Sequence, residues 1–137
     1  MALCGLYGYR IGGGTAAAAL NFAAGEMNDP PLEEAKDYGL KLLRETIKLA
    51  EWADGVIKDK LLNWELSRVT FLDKLILELA LTEMVSMDDV PEKVSISEAI
   101  EIAKIYSTQE SPGFVNGILD AVYHDILNGT FKGPGEA

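Results

Sequence analysis

This chain is poor in the residues that most enzymes and metal proteins rely on. Its 137 residues include one cysteine, Cys4, and one histidine, His124. A single cysteine excludes an internal disulfide, and with no second thiol or neighbouring histidine it excludes a zinc site. Cys4 therefore reads as a small buried apolar residue, and His124 as a partly buried helix residue. No Ser or Cys in a fitting local motif stands ready to partner that histidine in a nucleophilic site. Neither a catalytic residue, a metal nor a cofactor is expected.

Positive charge is also scarce. Twelve basic residues face 22 acidic ones, a formal net charge of −10, which argues against broad affinity for phosphate backbones by this chain alone. No apolar run approaches the roughly 20 residues needed to cross a bilayer. The opening residues 1–11 also lack the charged leader, apolar block and small-residue cleavage site of a signal peptide, so no membrane partner and a cytoplasmic location are expected. Period-two alternation is missing throughout, which excludes half-buried strands. Gly12, Gly13 and Gly14 are not followed by Gly-Lys-Ser/Thr, so they form a turn and not a phosphate loop.

What the chain does contain is helical. Hydrophobic residues make up 48%, and at this length one domain can bury about two thirds of the unfolded surface. Leu3, Leu6, Tyr7 and Ile11 share a face of a first helix that the three glycines end, and Thr15 can cap a second. Asn28 to Pro31 break the pattern. Residues 32–62 are again helical, with an interruption expected near 51–55, because such a span is long for a globular helix. Glu33, Glu34 and Asp37 are acidic residues of a first turn, favoured there by the helix dipole.

Residues 66–85 form the most apolar segment and read as the central core helix, apolar on more than one face. Asp88 and Asp89 belong to a turn. SISE (residues 95–98) fits a capping box for a helix running to about Tyr106. Ser111 and Pro112 supply a cap and first residue for a last helix, which ends near Asn128 and Gly129, and the tail beyond has no periodicity and is expected to fray. The fold class is all-α, with about seven helices.

Three segments carry a resemblance. LDKLILELALTEM, DDVPEKVSISEAIEIAK and ESPGFVNGILDAV, in that order and spacing, resemble the signature segments of the NusB transcription antitermination family, and LYGY (residues 6–9) extends the likeness over nearly the whole chain. The resemblance implies two small packed helical bundles within one NusB-like domain, about 1–62 and 63–128, with a tail at 129–137. It implies a non-enzymatic RNA-binding factor that pairs with the ribosomal protein NusE, binds boxA RNA of ribosomal RNA leader transcripts and serves the RNA polymerase antitermination complex. It places Tyr7, Glu110, Phe114 and Asn116 at the RNA face, where an aromatic would stack on bases and a carboxylate would accept from amino or hydroxyl groups. It places Asp73, Glu78, Thr82 and Glu83 at the partner face.

Two departures from the family pattern ILRLALYEL bear on the partner face: Glu78 replaces Arg and Thr82 replaces Tyr. The resemblance also implies an Arg-rich stretch ahead of the residues matching 1–6. With no such stretch and no cap before the first helix, a truncated start is the expectation. An alternative assignment is a protein-interaction or oligomerisation module, such as a homodimer, that does not bind RNA.

Overall fold

The computed structural model describes residues 2–27, 32–61 and 69–135. Among them are seven helices and no strand: α1 (Ala2–Gly12), α2 (Ala16–Gly25), α3 (Glu33–Lys48), α4 (Ala50–Lys60), α5 (Phe71–Ser86), α6 (Glu92–Tyr106) and α7 (Ser111–Asn128).

Local chemistry explains most of the boundaries. Gly13 and Gly14 take φ of 72° and 84°, a left-handed conformation that glycine adopts without steric cost. This lets the chain reverse between α1 and α2. Thr15 then caps α2, its side chain accepting from the Ala18 amide at 3.1 Å. Gly129, at φ 73°, ends α7 as expected from the sequence. The break between α3 and α4 falls at Leu49, ahead of the expected 51–55. One turn before it, the Thr46 hydroxyl donates to the Leu42 carbonyl at 2.7 Å, a back-bond that bends helices.

Two expected caps are placed differently. α6 begins at Glu92 with Pro91 in the N-cap position, so Ser95 lies inside the helix and is buried. It forms no capping box. Pro91 explains the earlier start: it lacks an amide to satisfy, and its carbonyl accepts from Val94 and Ser95. At α7, Glu110 holds the cap position and Ser111 opens the helix, its hydroxyl turned toward α5. The segment before α5 also shortens. Residues 62–68 lie outside the described residues, and the helix starts at Phe71 under a Thr70 cap that accepts from the Asp73 amide at 3.1 Å. Thr70→Ala is expected to cost about 1 kcal/mol, measured by urea denaturation, with Thr70→Ser restoring most of it.

The core forms around α5, which packs on α1, α3, α4, α6 and α7. Every residue from Leu75 to Met84 is buried, so this stretch of the helix has no solvent face, as its apolar breadth anticipates. Leu6, Leu43, Leu81, Val115 and Leu119 are completely buried around it. α1, α2 and α3 pack on one another, while α4 lies against α5 and α7.

Where the sequence leads one to expect fraying, the described start of the tail is anchored. Phe131 packs edge-on against Trp52 with ring centroids 6.0 Å apart, and the Trp52 indole N–H donates to the Lys132 carbonyl at 3.3 Å. An aromatic ring with an apolar surface to cover outweighs the lack of periodicity. Two further expectations are corrected. Cys4 is exposed, because it lies on α1 away from Leu3 and Leu6. His124 is also exposed, 3.4 Å from Asp120 one turn earlier on α7.

Candidate nucleic-acid interface

Three elements meet at one end of α5. From α1, Tyr7 projects outward, 45% exposed, and its ring meets Phe71 of α5 edge-on, centroids 5.9 Å apart and planes inclined at 63°. From the end of α6, Tyr106, 53% exposed, borders the same groove as Tyr7. The groove runs along α1 and α2, encloses about 970 Å³ and includes Ile11, Phe22 and Met27. Half-exposed aromatic rings at its border keep a face available to stack on unpaired bases.

The turn from α6 to α7 is clasped to this end of α5 by Asp73. Ser107 Oγ donates to one carboxylate oxygen at 2.6 Å, and Ser111 Oγ donates to the other at 3.0 Å. Because each serine hydroxyl has one proton and spends it on Asp73, the Thr108 hydroxyl and amide are left to donate to Ser111 Oγ, at 2.8 and 3.2 Å. The clasp holds the turn that follows Tyr106 and carries Glu110, an exposed residue.

The residues named from the sequence are distributed unevenly around this site. Tyr7 lines the groove, and Glu110 is exposed in the clasped turn. Asn116 is exposed on α7, beyond the turn. Phe114 is 5% exposed and packs in the core, where its ring supports the start of α7. The four residues assigned to the partner face are all buried: Asp73 in the clasp, Thr82 with no exposed surface, Glu78 against Arg10, and Glu83 accepting from the Tyr38 hydroxyl at 2.7 Å. Their side chains touch the protein's own helices. Sequence reasoning had not marked Phe71 or Tyr106 as surface aromatics. Their signal was position: each stands at a helix end, where one turn of a core-facing helix emerges into solvent.

Glu78 has the most unusual electrostatics. Its carboxylate lies 3.1 Å from the Arg10 guanidinium, yet neither of its oxygens has a partner on a good hydrogen-bond line. Burial, reinforced by the neighbouring Asp54 carboxylate, pushes its carboxyl up to about 7, while the nearby Arg10 pulls the other way. Where the family pattern carries an arginine on this helix, this chain has the carboxylate, and the cation comes from α1.

Residues 1–124 match the NusB family. The chain belongs to that family. Among similar proteins, the transcription antitermination protein NusB of Salinibacter ruber is 44% identical over 75% of this chain and 69% of its own length. That of Chloroherpeton thalassium is 48% identical over 68% of this chain and 44% of its own length, and that of Alkaliphilus oremlandii is 47% identical over 64% and 63%. The chain thus spans about half to two thirds of the length of these NusB relatives. Among solved structures, T. maritima NusB superposes with a TM-score of 0.75 at 30% identity, covering 88% of this chain and 83% of that one. A complex of the antitermination factors NusB and NusE with double-stranded RNA contains a chain of the same fold, with a TM-score of 0.77 at 22% identity and 90% of each chain covered. These neighbours share the all-α NusB architecture. No helix among the described residues is long and apolar enough to cross a membrane.

Proposed function

We propose that this chain is a non-enzymatic antitermination factor that pairs with the ribosomal protein NusE, binds boxA RNA of ribosomal RNA leader transcripts and keeps RNA polymerase from terminating early. The observation that carries this reading is the set of exposed aromatics, Tyr7, Phe71 and Tyr106, gathered at the end of α5 beside the clasped Glu110 turn. NusB-family membership supports it, as do relatives described as antitermination proteins and a neighbour of the same fold solved with NusE and RNA.

In this reading Tyr7 stacks on a base, Glu110 and Asn116 accept or donate at base edges and sugar hydroxyls, and Phe114 fixes the start of α7 from within. Asp73, Glu78, Thr82 and Glu83 serve the NusE-facing surface from beneath, by fixing α5 against the elements packed on it. The acidic balance of the chain assigns most phosphate attraction to other parts of the complex.

The test is binding of a labelled boxA RNA by this chain together with NusE. Loss of one stacking platform is worth about 1 to 3 kcal/mol. Tyr7→Ala is therefore expected to weaken binding about tenfold or more while leaving the melting temperature nearly unchanged, since the ring is half exposed. RNA affinity unaltered by Tyr7→Ala would refute the assignment of this face.

The same groove supports a second reading. Ile11, Phe22 and Tyr106 are exposed along it, and an apolar strip of this kind fits a protein surface, including a second copy of the chain. Concentration-dependent self-association abolished by Phe22→Glu, with no RNA binding in the presence of NusE, would favour that role.

A further inference from the structure

On the other side of α5 lies a separate cavity of about 370 Å³, enclosed by the start of α1 and by α3, α5 and α6. Leu42, Ile76, Leu79 and Ile102 make most of it apolar, while Tyr38, Glu83, Ser95 and Glu98 gather as its polar groups. Small sites that recognise ligands are commonly built this way, with an apolar body and a few convergent polar atoms.

Two observations point to the ligand's chemistry. Ser95 is 1% exposed, and its Oγ is buried with no hydrogen-bond partner, although a buried hydroxyl normally has one. Glu83 is buried and accepts from the Tyr38 phenol, while Glu98 is open to solvent. No described Lys, Arg or His lines the cavity. Two carboxylates share one small site without a cation. Burial, then the charge of Glu83, raises the Glu98 carboxyl, and burial together with Glu83 raises the Tyr38 phenol. Each shift combines desolvation with neighbouring negative charge that no described cation lining the cavity offsets.

We propose that this cavity is a binding site for a compact amphipathic cation, an organic ammonium whose apolar body fills the space between α3, α5 and α6 while its N–H donors reach Glu83, Glu98 and the unpartnered Ser95 Oγ. An ammonium carries three donors and no acceptor, which matches a site composed of two carboxylates and a hydroxyl. This assignment is independent of the RNA face.

The test uses 2-phenylethylammonium against the full chain at neutral pH, followed by calorimetry and by amide chemical shifts, with 2-phenylethanol and 3-phenylpropanoate as the neutral and anionic counterparts. The ammonium is expected to bind at least about tenfold more tightly than the alcohol, the difference that one charge-assisted hydrogen bond supplies, and to shift the amides of Ser95 and Ala99. The anion is expected not to bind. Glu98→Gln should remove most of the preference for the ammonium, and Ala35→Leu, which adds bulk at an exposed α3 position on the cavity wall, should block both neutral and cationic probes. Both changes are at exposed residues, and circular dichroism verifies that the helices are retained. Equal binding of ammonium and alcohol, binding indifferent to both substitutions, or no binding of the ammonium would each overturn the proposal.

Discussion

Asp73→Ala is expected to lower the stability of this protein by about 3 kcal/mol, because two buried hydrogen bonds to a charged group are lost at once and each is worth about 1.5 to 3 kcal/mol before the surroundings relax. The carboxylate receives Ser107 from the end of α6 and Ser111 from the start of α7, so one side chain of α5 fixes two helix ends and the turn between them. The three hydroxyls of Ser107, Thr108 and Ser111 can re-pair with one another, which limits the loss. The melting temperature should fall by about 10 °C. Asp73→Asn, which keeps the shape and one carbonyl acceptor, should retain roughly half of the stability. Weakened boxA binding in the Asp73→Asn protein, under conditions where it is fully folded, would show that the clasp positions the Glu110 turn. A loss below about 1 kcal/mol for Asp73→Ala would show that the hydroxyl cluster does not need the carboxylate.

The second large effect concerns Glu78 and has a definite dependence on pH. The carboxyl is raised in the folded protein to about 7, above the ordinary 4.5 that it has when unfolded. The folded state therefore holds this proton where the unfolded state has released it. Stability from this group is fully present below about pH 4.5 and is lost as the pH rises through about 7. Glu78→Gln keeps the shape and removes the titration. It is expected to leave stability near pH 5 little changed, to raise it at pH 8 by about 2 kcal/mol, and to flatten the slope between the two. Urea denaturation of both proteins at pH 5 and pH 8 measures this directly. Arg10 acts in the opposite sense. At pH 8 Arg10→Met strands an ionised buried carboxylate and should cost about 3 kcal/mol, whereas at pH 5 the protonated Glu78 has much less need of the cation. Equal costs at the two pH values would place the titration elsewhere.

Much of this fold can be read along the chain because the deciding interactions are local. The Gly13–Gly14 reversal, the Thr15 cap and the Gly129 ending depend on neighbours three or four residues away, and all three stand in the structure as expected. The breadth of the apolar surface in residues 75–84 likewise marks α5 as the central helix, since a helix with no polar face has to be surrounded. The caps that moved show the limit of local reading. SISE has the right residues for a capping box, but Pro91 starts the helix a turn earlier and Ser95 is carried into the interior. Ser111 has the right residue for a cap, but Glu110 holds the cap position, and the Ser111 hydroxyl inside the helix donates to a carboxylate 38 positions away.

The candidate site divides in the same way. Tyr7 was legible through the family likeness of LYGY, and Glu110 through its place before the FVNG segment. Phe71 and Tyr106 were not, because nothing in their own segments distinguishes a ring that emerges at a helix end from one packed in the core. The buried charges were legible only as departures from the family pattern. Their partners, Arg10 for Glu78 and Tyr38 for Glu83, lie on other helices.

By itself, then, the sequence determined the helical class, most of the turns, the central place of α5 and the resemblance to the NusB family, all of which rest on periodicity, short-range hydrogen bonding and recognisable segments. Only the tertiary structure decided which aromatics face solvent, which carboxylates are buried and what they hold, and that a cavity with an unpartnered serine lies between α3, α5 and α6. Those features arise where helices distant in sequence meet, and the free energy of burying or pairing a polar group is set by what surrounds it in space.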